Sequence, residues 1–343
     1  MRAIDLFSGA GGLSLGLVSA GFDVVAAVDN WQLAVDTYTK NFSHAAVCRD
    51  IGDLSGVELC KIVGMKPGDI DVVAGGPPCQ GFSVQRIGDD FDDRNGLVLD
   101  FARMVIEMQP RAFLMENVPG LLGKRGAHTF AAFTRKLEAA GYSVCVQRIN
   151  AADYGVPQNR RRVLVSGFRR DVSGVMPQPA TAELLTVWDA IGDLPAPAPP
   201  GTANADDPLH VESKMSPLNR ERLALIPPGG GFEDLPAEMR VACHARGAAA
   251  IGHRGVYGRL HPEQPAGTIT ARFDSFTRGR FAHPYANRNI TLREGARLQT
   301  FPDDFVFLGN REEIAAQIGN AVAPRLAHRF AAEIAGQLTR HPR

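Results

Sequence analysis

The sequence predicts an α/β fold, a mostly parallel sheet with helices on both faces, joined to a smaller irregular domain. Two observations carry this. Short apolar runs alternate with segments of three- and four-residue apolar spacing over residues 3–168, the pattern of a parallel sheet with crossover helices. The pattern then breaks into stretches rich in Pro and Gly, 195–201 (PAPAPPG) and 227–236 (PPGGGFEDLP), which mark a change of domain. A chain of 343 residues is long enough for two domains.

The elements follow in order. Residues 3–7 (AIDLF) read as a buried strand, 8–12 (SGAGG) as a glycine turn, and 13–21 (LSLGLVSAG) as a helix. A second strand, 23–29 (DVVAAVD), ends in an acid, and 33–42 read as a helix. The run 71–75 (DVVAG) is a strand, and 96–109 form a helix with apolar residues at helical spacing. Another strand, 111–117 (RAFLMEN), precedes a helix over 129–141 that Gly141 stops. Residues 143–149 and 163–168 are two further strands, and 326–338 is a final helix.

Composition narrows the function classes. Hydrophobic content of 45% and charged content of 22% are ordinary for a globular chain. No run of 18 apolar residues exists, so no membrane helix is expected. The first residues lead directly into a strand with no signal segment, and a cytoplasmic location is expected. Five cysteines (Cys48, Cys60, Cys79, Cys145, Cys243) lack C-x-x-C spacing, which argues against a disulfide framework or a zinc ribbon. Cys243 and His244, with His253 and His261, match no standard metal spacing, and no metal is expected. The net charge is zero, but it is unevenly spread. From Arg240 to Arg297 there are ten arginines, three acids and no lysine, whereas the first sixty residues hold seven acids and three basic residues. A neutral total can therefore conceal a basic face suited to nucleic acid.

Three segments carry candidate chemistry. The first is the glycine turn. Gly9 and Gly11 fit the spacing of a dinucleotide fingerprint, but Ser14 occupies its third glycine position, which weakens an oxidoreductase reading. Asp29, at the end of the second strand, is placed to bind ribose hydroxyls, so the turn suits a nucleoside-containing cofactor. The second is 75–83 (GGPPCQGFS). Pro77 and Pro78 stiffen a loop at a strand end, where open α/β sheets carry their chemistry, and present Cys79 there. The alternative for Cys79 is a small buried hydrophobe. The third pairs Glu116, at the end of its strand, with 158–163 (QNRRRV). Alternate residues of an extended segment point the same way, so Gln158, Arg160 and Arg162 could share a face suited to an anion or a ring oxygen.

At these residues the chain resembles the DNA (cytosine-5) methyltransferases of the bacterial type. DLFSGAGGLSLG, GGPPCQGFS, MENV, QNRRRV, RLHPEQPAGTIT (259–270) and QIGNAV (317–322) resemble six family motifs, in the family's order and from end to end of the chain. The resemblance implies a Rossmann-like fold that uses S-adenosyl-L-methionine, with three segments: 1–171 catalytic and cofactor-binding, 172–305 target-recognition, and 306–343 returning to the first. It implies that the Cys79 thiolate adds to carbon 6 of a cytosine flipped out of double-stranded DNA, making carbon 5 nucleophilic. Glu116 would bind or protonate ring nitrogen 3, which requires a raised pKa. Arg162 would hold the ring carbonyl, and Arg160 would organise the same pocket. The cofactor site would comprise Phe7, Gly9, Gly11, Asp29, Asn30, Asp50, Ile51, Pro78, Leu97 and Asn320. Asn30 stands where some relatives carry an aromatic against adenine, and Trp31 follows it. Residues 83–96 (SVQRIGDDFDDRNG) resemble a lid that closes on DNA, and Arg254, Arg272, Arg278 and Arg280 suit phosphate contacts. A monomer is expected, and the family context implies a separately acting cognate restriction endonuclease. Two rivals share the motifs: an RNA cytosine-5 methyltransferase and a catalytically silent DNA-binding relative. The recognition segment of over a hundred residues favours DNA, and the intact Cys79, Glu116 and Arg162 argue against silence.

Overall fold

A computed structural model describes residues 1–78, 96–170, 172, 183–241 and 255–342. The chain divides into two compact units. The first comprises 1–154, 161–181 and 321–343, and the second 155–160 and 182–320. The division differs from the boundaries read from sequence. The return to the first unit comes at 321 rather than 306, and a short piece at 155–160 joins the second unit.

The first unit is built on a seven-stranded sheet. Its strands are β1 (Arg2–Leu6), β2 (Asp23–Asp29), β3 (Ala45–Cys48), β4 (Val72–Gly75), β5 (Ala112–Asn117), β6 (Tyr142–Asn150) and β7 (Arg161–Arg169). Their order is β3-β2-β1-β4-β5-β7-β6. The first five pair in parallel, as the alternation of strands and helices predicts. The last two run antiparallel to their neighbours. The interleaved helices are α1 (Gly12–Ser19), α2 (Gln32–Asn41), α3 (Gly56–Ile62), α4 (Gly96–Met108) and α5 (Ala127–Ala139). The central strands are buried along their length, and Ile4, Val73, Phe101, Phe113 and Phe133 pack in one core. The rings of Phe101, Phe113 and Phe133 meet edge-on or tilted at 6.1–6.4 Å, a favourable aromatic arrangement.

The second unit has little regular structure among its described residues. It contains α6 (Val187–Ile191), α7 (Pro217–Ala224), a two-stranded pair of β8 (Gly258–Arg259) and β9 (Arg280–Ala282), α8 (Leu292–Leu298) and α9 (Arg311–Asn320). Loops with few ladder bonds leave carbonyls to satisfy, and buried carbonyls need donors. Arginines supply them. Arg259 is buried and spends all five donors, on the carbonyls of Leu223, Ile226, His283 and Ala286 and on Asn287 Oδ1, at 2.7–2.8 Å. Arg280 folds onto the carbonyls of Gly229, Gly230 and Arg259. Arg288 makes a bidentate pair with the buried Glu294, at 2.7 and 2.8 Å. Arg293 binds Asp207, and Arg297 binds Asp193 and Asp303.

The arginine-rich stretch is therefore in large part internal scaffolding. The expectation that Arg280 contacts phosphate is corrected by its inward bonds. Arg272 is shared between Asp274 and Glu312, Arg278 is exposed, and Arg254 lies outside the described residues.

The chain returns to the first unit through α10 (Pro324–Arg340), whose buried face includes Leu326, Phe330, Ile334 and Leu338. α10 packs on α1 at very close range. A Cβ at Gly16 would meet Ala327 Cβ at 2.3 Å and the backbone of His328 and Pro324 within 2.8 Å, so only glycine fits there.

Candidate active site

The strand order reverses between β1 and β4, the switch point at which open α/β sheets bind ligands. The carboxyl ends of β1, β2, β4 and β5 all reach this edge. β7 runs antiparallel to β5, with Asn117 opposite Val163 and Glu116 opposite Leu164. Its first residues therefore lie beside the last residues of β5. This reversal places Arg162 next to Glu116.

The turn after β1 is conformationally demanding. Phe7, Gly9 and Gly11 have φ of 59°, 53° and 104°. Positive φ is a genuine outlier for a bulky residue such as Phe7 and marks strain stored at the turn. A Cβ at Gly11 would strike the Phe42 ring at 2.4 Å, whereas one at Gly9 would meet nothing within 4 Å. The turn is thus closed behind and open in front. Asp29 braces it: Gly9 N–H donates to Oδ2 at 2.8 Å and Trp31 N–H to Oδ1 at 2.9 Å. Burial pushes the Asp29 carboxyl above its ordinary pKa, against the pull of these N–H groups.

Next to it, Asn30 Nδ2 donates to Asp50 Oδ2 at 3.1 Å, and Gly52 N–H donates to Asp50 Oδ1 at 2.8 Å. Asn30 and Asp50 are exposed and Ile51 is buried. Arg103 of α4 fixes this loop by donating to the carbonyls of Ile51 (2.6 Å) and Leu54 (3.0 Å). Leu97, in the first turn of α4, is half-buried, and Pro78 is exposed.

Glu116 and Arg162 form the polar pair of this edge. Arg162 Nε donates to Glu116 Oε1 at 2.7 Å, and both side chains are only 13% exposed. Arg162 Nη1 also donates to the Arg161 carbonyl at 2.8 Å. A Cβ placed on Gly76 would lie 3.9 Å from Glu116 Oε2, so that oxygen faces the strand end leading to Cys79. Beneath the carboxylate lies an apolar pocket lined by Leu13, Leu114, Leu164, Val322 and Phe330. Asn117, buried beside Glu116, donates from Nδ2 to the Pro77 carbonyl at 3.1 Å and accepts from Val118 N–H at 2.8 Å. It ties the Pro-Pro segment to β5.

Sequence reasoning missed Asn117 and Arg103. Both act by binding backbone carbonyls distant in sequence, which no local pattern reports.

Some expected residues lie outside the described residues or belong to the second unit. Cys79 and the lid at 83–96, save Gly96 at the start of α4, lie outside the described residues. Alternation along 158–162 suggested one shared face for Gln158, Arg160 and Arg162, and the unit boundary falls between Arg160 and Arg161. Gln158 and Arg160 are buried in the second unit. Gln158 bonds Gln299, the Leu298 carbonyl and Ile269 N–H, and Arg160 donates to the carbonyls of Ile269 (3.0 Å) and Gly319 (3.1 Å). Asn320 is exposed at the end of α9, also in the second unit. Among the described residues no cluster of His, Cys, Asp and Glu could hold a metal ion, and no helix is long and apolar enough to cross a membrane.

A glycine turn at the switch point of a mostly parallel sheet, with an acid closing the next strand, places the chain in the Rossmann-like class of the methyltransferases. More particularly, the chain belongs to the C-5 cytosine-specific DNA methylase family, whose profile matches residues 1–336. It is 38% identical to the Type II methyltransferase M1.HphI of Haemophilus parahaemolyticus over 96% of this chain and 85% of that one. It is 33% identical to the Type II methylase M.HgiDII of Herpetosiphon aurantiacus, over 96% and 94% respectively. Among solved structures it is similar to one assigned as a DNA modification methyltransferase encoded within an E. coli prophage, with 28% identity, a TM-score of 0.79 and 99% of both chains covered. The fold is also that of the Entamoeba histolytica methyltransferase EhMeth, at 16% identity, a TM-score of 0.69 and 98% coverage of both. The chain is a DNA cytosine-5 methyltransferase.

Proposed function

We propose that the first unit binds S-adenosyl-L-methionine at the glycine turn and that Cys79, Glu116 and Arg162 perform the methylation. The observation that carries this is the Glu116–Arg162 pair at the strand edge, one oxygen of which faces the segment leading to Cys79. The free space in front of Gly9 and the unpartnered, fully buried Asp5 Oδ1 below the turn fit a cationic nucleoside cofactor. That cofactor supplies an electrophilic methyl group.

The Cys79 thiolate adds to carbon 6 of cytosine, and carbon 5 becomes nucleophilic. A free thiol has a pKa of about 8.5, so its surroundings must favour the thiolate. Glu116 engages ring nitrogen 3 and the exocyclic amino group, held in orientation by the Arg162 Nε–H bond to Oε1. Arg162 keeps Nη donors for the ring carbonyl. After methyl transfer, the carbon-5 proton is lost and the thiolate leaves.

Phe7, Gly9, Gly11, Asp29, Asn30, Asp50, Ile51, Pro78 and Leu97 line the cofactor site, and Asn320 is a further candidate from the QIGNAV motif. Arg160 acts as a positioning residue through the carbonyls it holds. The second unit reads the DNA sequence. The target base lies inside a duplex and is flipped out to react. The enzyme acts as a cytoplasmic monomer, and a cognate restriction endonuclease acts separately, a reading supported by the Type II names of its relatives.

Bisulfite sequencing of plasmid from cells expressing the chain tests this. Protected cytosines in one recurring context, absent with Cys79→Ser, are expected. Protection that survives Cys79→Ser would refute the nucleophile assignment.

A further inference from the structure

Asp5, on β1 just before the glycine turn, is fully buried. Ser14 Oγ donates to its Oδ2 at 2.6 Å, and Oδ1 has no hydrogen-bond partner. Tyr38 OH donates in turn to Ser14 Oγ at 2.6 Å, and His44 Nε2 meets the Tyr38 hydroxyl. The Ser14 and Tyr38 hydroxyls thus both donate toward Asp5. The groups facing Asp5 are Ser14 from α1, Asp29 from β2, and Tyr38 and His44 from α2 and the residues after it. None is a lysine or an arginine, and Asp29 is a like charge. Burial, reinforced by Asp29, pushes the Asp5 carboxyl up to about 7. A buried carboxylate without a cation is costly, and such a site has an unmet preference for positive charge. The reaction offers one charge that changes. Its methyl donor carries a sulfonium, and its product, S-adenosylhomocysteine, a neutral thioether; adenosine, amino and carboxylate groups are common to both.

We propose that Asp5 biases the site by charge, strengthening binding of the sulfonium donor relative to the thioether product. This rests on the cofactor reading above. The interaction acts at a distance through the poorly screened interior, so it requires no contact between Asp5 and sulfur.

The test is calorimetric binding of S-adenosylmethionine and S-adenosylhomocysteine, separately, at pH 6 and pH 8.5. The wild-type preference for donor over product is expected to be about tenfold greater at pH 8.5 than at pH 6, or 1.4 kcal/mol. Asp5→Asn should show the low-pH preference at both values. Ser14→Ala, which keeps the charge, should retain the high-pH preference. Because the wild-type profile stands by itself, the test does not depend on how the variants fold. A preference independent of pH in the wild type, or unchanged in folded Asp5→Asn, overturns the inference alone. Failure of the wild type to bind either compound overturns the cofactor reading with it.

Discussion

Arg259→Lys separates two roles for an arginine in the second unit. Lysine keeps the charge but has three donors, and Arg259 serves five acceptors. At least two buried acceptors lose their donor. Each costs about 1–3 kcal/mol, so the expected loss is about 2–6 kcal/mol. That is a large share of the stability of an ordinary domain, roughly 5–15 kcal/mol. Urea denaturation followed by tryptophan fluorescence measures it. Each unit holds one of the two tryptophans, Trp31 in the first and Trp188 in the second, so a Trp31→Phe background reports on the second unit alone. Non-specific DNA binding gives the other arm. A phosphate contact would lower the salt slope by about 0.9 on removal, whereas a scaffold residue leaves the slope of the folded protein unchanged. A stability change below about 0.5 kcal/mol, or a slope lowered in the folded variant, would refute the scaffold argument.

Glu116→Gln is expected to lower kcat by about 10²–10⁴-fold, the usual range for a lost acid–base group, with cofactor affinity unchanged in equilibrium dialysis; near-normal turnover would remove Glu116 from the mechanism. Asn117→Ala frees the Pro77 carbonyl and should slow methyl transfer in single-turnover measurements while sparing cofactor affinity, and Asn117→Asp, which cannot donate when ionised, should not restore it. Restoration by Asp would show that the clasp is unimportant. Asp5→Asn should stabilise the protein at pH 8. The Asp5 carboxyl is raised from 3.8 to about 7, so the stability it contributes is full below 3.8 and is lost as pH rises through 7. The gain is up to about 4 kcal/mol at pH 8, vanishing toward pH 4 in thermal melts, and a gain that does not vary with pH would contradict this origin.

The parallel strands were legible because each is an apolar run bounded by glycine, proline or an acid. β3 was not, since its apolar run of four residues (AAVC) is short, half-buried or exposed, and begins in two alanines, which favour strands little. The direction of β7 was not legible either, because a period of two is the same in either direction. That direction is what brings Arg162 to Glu116. The motif residues could be named from sequence, but the assignment of Arg160 to the second unit and Arg162 to the first could not. Strict alternation assumes one continuous strand, and the chain passes between units after Arg160. Counting arginines also misled, because a count records charge and is blind to the carbonyls that an irregular loop fold must satisfy.

The fit of α1 against α10 bears on how the protein is made. α1 ends at Ser19 and α10 begins at Pro324, so a ribosome releases the whole second unit between them. During that interval the groove at Gly16 has no cover, and the wall beneath Glu116 lacks Val322 and Phe330. The apolar wall beneath Glu116 is finished only after the whole second unit has been synthesised. The order of residues thus makes closure of this wall one of the last events of synthesis.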